Sequence, residues 1–213
     1  MLDFFYFSSI DSTQTWLIDK VKSGEISRDT CVLTDFQTQG LGSRENVWDN
    51  VENALMFSFA FQKEALPKDL PIQSISIYIG FLMKQWLAKE HPQVWLKWPN
   101  DFYLQNQKIG GILTQSVQDY IVCGIGINLQ ATFYTSLNAR WSRKEKEDRL
   151  RRFLTFLFKF PTWSYVFKNY KIEFYKNFDF TFHFDNHEIS FCDVTLYDDG
   201  SVVWKDQKIY SLR

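Results

Sequence analysis

The sequence predicts an α+β protein, in which a mixed but largely antiparallel sheet is covered by helices and followed by a small barrel of β-strands. Four short β-prone runs follow one another between residues 94 and 129 with turn residues between them, which is typical of an antiparallel meander. Apolar residues between 75 and 86 recur at helical spacing. After residue 178 the pattern changes to short alternating strands.

The first half of the chain alternates strands with helices. Asp11 or Ser12 suits the N-cap of a first helix that ends near Gly24. A second helix follows the prolines at 67 and 71 and stops at the His-Pro pair at 91–92, and we expect it to cover one face of the sheet. The strands of this half are expected at residues 3–7, 31–36 and 54–61.

The second half contains the meander, further helices and the C-terminal strands. The meander strands are expected at residues 94–98, 102–104, 108–116 and 120–129. Residues 140–152 carry seven basic and three acidic residues, which favours a solvated helix face, and two amphipathic helical stretches follow up to about residue 177. Because short strands begin near Phe178, the sequence predicts a first domain over residues 1–177 and a small β-domain over residues 178–213.

Composition disfavours several classes of protein. The 213-residue chain has 24 Lys and Arg against 25 Asp and Glu, and this formal net charge of -1 provides no field for holding nucleic acid or an anionic membrane. The most apolar stretch, residues 77–83, is far shorter than the about 20 residues of a membrane span. The N-terminus lacks the basic region of a secretory signal. Cys31, Cys123 and Cys192 form no CxxC pair, which predicts small buried thiols in a cytoplasmic protein.

Four segments place polar or glycine residues beside apolar strand residues, as expected at the mouth of a pocket. They are IDSTQ at 10–14, QTQGLGSRENVW at 37–48, KWPND at 97–101 with QKIGGIL at 107–113, and CGIGINL at 123–129. Gly40 and Gly42 would let backbone N–H groups approach an anion, and Arg44 would add a charge-assisted contact. Neither the GxxxxGK[ST] pattern of a P-loop nor a dinucleotide fingerprint is present.

Together these segments resemble the biotin–protein ligase family. QTQGLGSRENVW resembles its glycine-rich adenylate loop, KWPND is unchanged, KIGGIL resembles the strand that follows, and GIGINL resembles the closing strand, in the same order and spacing. The resemblance covers residues 6–130, while residues 178–213 match only in kind. It implies a biotin/lipoate ligase-like catalytic domain over residues 1–177 and an SH3-like C-terminal β-domain.

The resemblance also implies a two-step reaction. Biotin attacks the α-phosphate of ATP to give biotinyl-5'-adenylate and pyrophosphate, and a lysine of an apo biotin carboxyl carrier protein then takes the biotinyl group. A carboxylate that attacks a polyphosphate brings like charges together, so Lys, Arg, Mg2+ and backbone N–H groups are expected to neutralise them. The site must also offer an apolar slot for the biotin rings and keep water from the mixed anhydride.

Individual residues receive roles through the same resemblance. Lys108 matches the lysine that contacts the biotin carboxylate and the α-phosphate, and it is the first choice for a catalytic residue. Asn100 and Asp101 match the segment near the phosphates and Mg2+. The implied biotin-binding residues are Ser12, Thr13, Gln14, Gln37, Gly40, Leu41, Gly42, Ser43, Lys108, Gly110, Gly111, Gly124 and Gly126. The implied nucleotide-binding residues are Arg44, Trp48, Asn100, Asp101 and Asn128.

The adenylate loop departs from the usual family pattern. Leu41 and Ser43 replace two usual arginines, Asn46 replaces a later one, and Arg44 is the one guanidinium left in the loop. Because Arg presents a bidentate fork that Ser and Leu lack, we predict that Arg44 takes over a phosphate contact and acts as a second catalytic residue. Gln14 stands where the family often has Asn.

Several residues also have an ordinary structural interpretation. Without its motif Lys97 would be a surface lysine, and no direct role is expected for it. Asp101 suits the cap of a turn, and a tryptophan such as Trp98 is more often a core residue than a ligand wall. His183 and His187 flank an apparent β-turn, which favours solvent exposure over a metal site.

Other functions are alternatives at this point. A lipoate or octanoate ligase on the related fold uses similar chemistry, although KWPND and the glycine pair after Lys108 argue against it. A non-catalytic homologue that holds biotin would explain the missing loop arginines. A nucleic-acid-binding module would use residues 140–152, but the balanced charge disfavours it. Because IDST begins at residue 10, we expect a short form without an operator-binding domain, and exposed sheet edges leave a homodimer open.

Overall fold

The computed structural model describes residues 2–42 and 46–210, and within them the largest sheet has seven strands. These are β1 (Asp3–Phe7), β2 (Thr30–Thr34), β3 (Asn53–Gln62), β4 (Val94–Lys97), β5 (Asp101–Leu104), β6 (Gln107–Val117) and β7 (Tyr120–Gln130). They lie side by side in the order β1-β2-β3-β7-β6-β5-β4. β1 pairs in parallel with β2 and the other neighbours pair antiparallel, which confirms the mixed sheet and its meander.

The described residues contain four α-helices. They are α1 (Thr13–Lys22), α2 (Ile75–Leu87), α3 (Arg143–Leu157) and α4 (Trp163–Glu173). α1 begins where the Ser12 side chain accepts a hydrogen bond from Thr15 N at 3.3 Å, so the expected cap is confirmed. Gly24 follows α1 with φ 74, a left-handed conformation that glycine adopts without steric cost.

The two faces of the sheet are covered unequally. On one face α2, α3 and α4 bury the larger core, which includes Phe57 and Phe59 of β3. On the other face α1 packs Leu17 and Val21 against Val122 and neighbouring residues of the central strands. α1 covers only part of this second face, so a strip of β6 and β7 beside its N-terminus stays open to a ligand.

The strand-rich C-terminal region is also confirmed. Its strands are β8 (Thr181–Phe184), β9 (His187–Ser190), β10 (Thr195–Leu196), β11 (Val202–Trp204) and β12 (Gln207–Ile209). β8 and β9 form a hairpin, and β10, β11 and β12 form a three-stranded sheet. The turn residues Asp185 and Asn186 both have positive φ, as a two-residue hairpin turn requires. Phe182 and Phe191 of this region belong to the main core.

Most charged residues of the basic segment 140–152 are exposed, as expected for a solvated helix face, but Lys146 is an exception. α3 begins inside it at Arg143, where Ser142 and Glu145 form a capping box. Lys146 is buried and its Nζ lies 3.0 Å from a carboxylate oxygen of Asp35. The guanidinium of Arg143 lies 3.6 Å from the ring centroid of Tyr6 on β1. Part of the positive charge is therefore used to hold α3 against the β1 edge of the sheet.

The cysteines agree with expectation at two of three positions. Cys31 and Cys123 are buried free thiols, whereas Cys192 is exposed, so its predicted burial is wrong. Cys192 lies directly after the buried Phe191 in a short 3-10 turn, where consecutive side chains point in different directions. No helix among residues 2–42 and 46–210 is long and apolar enough to cross a membrane.

Candidate active site

The candidate site lies on the partly open face of the sheet, at the N-terminus of α1. Successive side chains of a strand point to opposite faces, and this alternation divides the GIGIN segment of β7. Ile125 and Ile127 are buried in the main core, while Gly124 and Gly126 line the open face. Ser58 of β3 pairs directly with Gly124, so small residues of two neighbouring strands form the floor of a cleft.

We call the resulting cleft the inner cleft. It brings together predicted residues from all four sequence segments. These are Ser12, Thr13, Gln14, Gln37, Leu41, Gly42, Trp48, Asn100, Asp101, Lys108, Gly111, Gly124 and Gly126. Five lining residues were not predicted, namely Phe57, Ser58, Ile112, Leu113 and Ile125.

A hydrogen-bond network fixes the orientation of Gln37 in the inner cleft. Gln37 Oε1 accepts hydrogen bonds from Thr13 N at 2.8 Å and from Thr13 Oγ1 at 3.1 Å. The hydroxyls of Thr13 and Ser58 are 2.8 Å apart, which ties β3 into the same network. Gln37 Nε2 has the Met56 sulfur, a weak acceptor, at 3.8 Å. The amide therefore keeps donor capacity that a ligand carbonyl can use.

Two buried polar atoms of the site have no hydrogen-bond partner among the described residues. They are Gln14 Oε1 and Trp48 Nε1. Each approaches a glycine closely: a Cβ on Gly124 would lie 2.6 Å from Gln14 Oε1, and one on Gly126 would lie 2.7 Å from the Trp48 ring. Buried polar atoms without a partner are rare and cost about 1–3 kcal/mol each. Two of the three such atoms among the described residues are at this cleft, where a ligand with complementary polar groups would satisfy them.

Lys108 and Asp101 form an ion pair at the edge of the inner cleft. Lys108 Nζ lies 2.7 Å from Asp101 Oδ1, and the lysine side chain is 47% exposed against 19% for the aspartate. Asp101 is the first residue of β5 and pairs directly with Gly111 of β6. Exposed pairs of this kind contribute little to stability, so the charge of Lys108 remains available to an anionic ligand.

Two further clefts meet the inner cleft at Lys108 and Gly42. The β7-side cleft is lined by Asn46, Val47, Trp48, Asp49, Val51, Gly110, Asn128 and Tyr134 in addition to these two residues. The C-terminal cleft is bounded by residues 97–101 on one side and by Thr181, Phe182, His183 and Tyr210 on the other. Lys108 thus stands at the junction of three open volumes.

The KWPND segment contains both core residues and residues that line the clefts. Lys97 is buried, and its Nζ donates to Thr181 O at 3.3 Å and lies 5.6 Å from the ring centroids of Phe180 and Phe191. The interpretation of Lys97 as a surface lysine is therefore wrong, because aromatic rings of the C-terminal region enclose it. Trp98 is a core residue as expected, and its Nε1 donates to a backbone carbonyl of that region at 3.0 Å.

The remaining predicted residues lie around the inner cleft. Gly40 packs under Trp48, since an added Cβ would lie 3.0 Å from Trp48 Cβ. Asn128 is buried near the end of β7, and its Nδ2 donates to Thr135 O at 3.2 Å. Ser43 and Arg44 lie outside the described residues.

Residues 2–42 and 46–210 contain no group of three or more histidine, cysteine or acidic side chains that could hold a metal ion. His183 and His187 are both exposed, which confirms the expectation made for them. The ring centroids of His187 and Trp204 are 5.2 Å apart.

Ser58 is the clearest functional residue that motif reasoning missed. In the strand NALMFSFAFQ, Phe57, Phe59 and Phe61 are buried in the main core, so Met56 and Ser58 face the other side. A serine between phenylalanines in a central strand is a local signal for a polar site. That signal identifies the face but leaves the partner, Thr13, unspecified.

Comparison with known families gives a match over more than half of the chain. The model described as the Biotin/lipoate A/B protein ligase family matches residues 6–128. The Bifunctional ligase/repressor BirA of Escherichia coli strain K12 is 32% identical over 126 residues, which is 56% of this chain and 38% of that protein. Its counterpart in Salmonella typhimurium is 36% identical over 128 residues and is covered to the same 38%. The match therefore spans well under two thirds of these curated relatives.

A solved structure gives a match over nearly the full length of both chains. The biotin acetyl coenzyme A carboxylase synthetase from Helicobacter pylori, determined with bound biotinylated ATP, is 37% identical with a TM-score of 0.91. The superposition covers 99% of this chain and 100% of that one. The biotin protein ligase from Aquifex aeolicus in complex with biotin and ATP, at 23% identity and a TM-score of 0.77, has the same fold.

Proposed function

The chain belongs to the Biotin/lipoate A/B protein ligase family, and from this premise we propose that it is an ATP-dependent biotin–[acetyl-CoA-carboxylase] ligase. In the proposed reaction biotin is activated to biotinyl-5'-adenylate and then transferred to a lysine of a biotin carboxyl carrier protein. One observation carries the proposal: three clefts meet at Lys108 and Gly42, and the reaction has three substrates to bring to one point.

The inner cleft is the proposed biotin site. Leu41, Trp48 and Leu113 give it apolar walls, and the Gln37 amide offers a donor for the ureido carbonyl. Gln14 Oε1 offers an unpaired acceptor for a ureido N–H. A slot with apolar walls and a few oriented polar groups is what a neutral bicyclic ligand requires.

The β7-side cleft is the proposed nucleotide site. Trp48 forms one wall, and its unpaired Nε1 offers a donor at the boundary with the inner cleft. Gly110 gives the ligand close access to the β6 backbone, and Asn128 is fixed at the far end by its bond to Thr135. This arrangement supports binding of adenosine with its α-phosphate directed at Lys108.

Lys108 is the proposed catalytic residue of the first step. A carboxylate oxygen of biotin forms a bond to the α-phosphorus, and the bond to the departing pyrophosphate breaks. Lys108 Nζ would leave Asp101 and lie between the two anions, where a positioned cation stabilises the charge that develops. The loop that carries Gly42 and Trp48 borders all of this space, and it would keep water from the adenylate.

The residues present fit a Mg2+ ion that is held mainly by its nucleotide. Mg2+ is commonly bound by one or two carboxylates together with substrate phosphates. Asp101 and Asn100, which line both the inner and the C-terminal cleft, would hold it. When bound there the ion supplies further charge neutralisation of the polyphosphate.

The C-terminal cleft is the proposed entrance for the carrier lysine. It lies between residues 97–101 and β8, at the boundary between the proposed domains 1–177 and 178–213. In the second step the lysine nitrogen attacks the carbonyl carbon of the adenylate, AMP leaves, and the amine loses a proton. We place the reaction in the cytoplasm, since the buried thiols of Cys31 and Cys123 are unpaired. Homodimer formation and the lack of operator binding stay predictions.

The role of Arg44 as a phosphate contact is proposed from the sequence. If Arg44 replaces the missing loop arginines, Arg44→Ala should lower the adenylation rate by about tenfold or more, as loss of a charge-assisted contact in the transition state does. The measurement is biotin-dependent pyrophosphate release. An unchanged rate would show that other groups cover the phosphates.

The test of the proposed function is Mg2+-ATP-dependent pyrophosphate release with biotin, with lipoate and with octanoate, each with and without an apo biotin-carrier domain. We expect release with biotin alone among the three acids, and a mass gain on the carrier lysine. Release with lipoate or octanoate instead would assign the chain to the sister activity. Biotin binding without pyrophosphate release would identify a non-catalytic homologue.

A further inference from the structure

We propose that Asn50 is a positioning residue that holds Gln37 in place for biotin, an inference that rests on the proposed function. Asn50 Oδ1 accepts a hydrogen bond from Gln37 N at 3.1 Å, and Asn50 Nδ2 donates to Gln37 O at 2.6 Å. One side chain thus satisfies both backbone polar groups of Gln37. We call this pair of bonds the Asn50 clasp.

The Asn50 clasp takes the place of a missing strand partner. β2 and β3 pair up to Thr34 and Met56, and although the same register would bring Asn53 opposite Gln37, no ladder pair forms there. Gln37 forms a parallel bridge with Ile10 on its other side. The N–H and C=O of Gln37 bind the Asn50 amide, which resembles a peptide group, in place of a backbone partner on β3.

The clasp acts at the base of the adenylate loop. Gln37 and Asn50 are 13 positions apart and stand at the two ends of that loop. Asn50 itself is half-buried and lies outside the linings of the inner, β7-side and C-terminal clefts. The contact through which Asn50 is expected to affect biotin is its pair of bonds to Gln37, whose side chain bonds Thr13, and KM for ATP reports any effect that passes through Trp48 instead.

The expected consequence is specific to biotin affinity. Without the clasp, the buried N–H and C=O of Gln37 lose their partners, and the residue must move to find others. A displacement of Gln37 shifts its Nε2 donor relative to the biotin rings. The ureido ring is bound equally before and during the chemical step, so the loss should raise KM for biotin and leave kcat unchanged.

Asn53 provides a matched control within the same segment. Its Nδ2 donates to Trp141 O at 3.2 Å, and its Oδ1 accepts from Trp141 N at 3.2 Å. This is the same pair of amide bonds to one backbone residue, made to the core residue Trp141 instead of to Gln37. Replacing either asparagine by alanine removes two equivalent hydrogen bonds, but only one replacement affects Gln37.

The experiment compares wild type with Asn50→Ala, Asn50→Asp and Asn53→Ala. Steady-state pyrophosphate release gives KM for biotin, KM for ATP and kcat, calorimetry gives Kd for biotin, and thermal unfolding gives stability. We expect Asn50→Ala to raise KM and Kd for biotin about tenfold, with kcat and KM for ATP within about twofold of wild type. Asn53→Ala should lose similar stability and keep wild-type biotin affinity. Asn50→Asp retains the acceptor for Gln37 N and should be intermediate.

The outcomes separate this inference from the proposed function. Equal biotin affinity in Asn50→Ala and Asn53→Ala would overturn the positioning role, and Asn50→Asp supplies the comparison if the alanine variant does not fold. If wild type binds biotin without releasing pyrophosphate, the proposed ligase activity is wrong. A rise in Kd for biotin in Asn50→Ala but not in Asn53→Ala would then still support the clasp. If wild type neither binds biotin nor releases pyrophosphate, both are wrong.

Discussion

β7 supplies stability on one of its faces and space on the other. Ile125 and Ile127 point into the main core and are 3% and 0% exposed. Gly124 and Gly126, one position away in each case, leave the room into which Gln14 and Trp48 extend. The difference shows that strict alternation lets one strand serve folding and ligand binding independently, with different residues for each.

Residues that stabilise the fold and residues that line the clefts are less clearly separated in the turn at residues 97–101. In the segment 97–101, Lys97 and Trp98 bind the C-terminal region, whereas Asn100 and Asp101 face the clefts. Here the two functions share one short connection. A change at either end would therefore be expected to disturb the other, unlike a change on β7.

The largest effect on stability should come from the core face of β7. Ile127→Ala removes a fully buried side chain and should destabilise the fold by about 2–5 kcal/mol, because a cavity remains in a packed core. Urea or thermal unfolding measures this loss. KM for biotin should stay at its wild-type value below the unfolding transition, and a raised KM would show that the two faces are coupled.

The largest effect on rate should come from Lys108 at the junction of the clefts. Lys108→Ala removes the cation that we propose lies between the two reacting anions, and pyrophosphate release should fall by about 10²-fold or more. Its ion pair with Asp101 is half exposed, so stability should change by less than about 1 kcal/mol. A rate close to wild type would show that the reaction centre lies elsewhere.

A smaller effect is expected on the open face of β7. Gly124→Ala places a Cβ 2.6 Å from Gln14 Oε1, the end of a flexible side chain that can move aside. We expect KM for biotin to rise about tenfold and the unfolding temperature to stay nearly constant, since no core contact is lost. KM for ATP serves as the internal control. A loss of stability with unchanged KM would reverse the assignment of the two faces.

The smallest effect concerns the ion pair that holds α3 to the sheet. Burial alone would raise the pKa of Asp35, but hydrogen bonds from Tyr6 and Lys146 outweigh it and hold that pKa below its usual value. The pair therefore stabilises the folded state above about pH 4, and this contribution disappears as the pH falls through the lower folded-state pKa.

Asp35→Asn tests this pH dependence. It should cost about 1 kcal/mol at pH 7, because Asp35 is 41% exposed and Lys146 is buried. The difference in unfolding free energy from wild type should shrink below pH 4. A difference that stays constant with pH would exclude the ionised carboxylate as its source. Biotin affinity should stay unchanged throughout, since the pair lies on the α3 side of the sheet.

Local patterns determined most of the fold in advance. Runs of β-prone residues bounded by turn residues predicted β3, β6 and β7 and with them the meander, and helical spacing predicted α2. The order of the glycine-rich loop, KWPND, KIGGIL and GIGINL identified the cleft residues that the structure brings together, Lys108 among them. These features can be predicted from the sequence because each depends on residues that are only a few positions apart.

Tertiary structure alone decided where several polar side chains lie. The buried Lys97 donates a hydrogen bond to a carbonyl 84 positions away, and the buried Lys146 donates one to a carboxylate 111 positions away. The Ser58 hydroxyl is hydrogen-bonded to that of a threonine 45 positions away. A polar group can be buried only where a partner offsets its desolvation, and such a partner comes from any part of the chain. The sequence by itself determined the strands, their two faces and the motif residues, while the packing of distant segments decided which charges are buried and which stay free for a ligand.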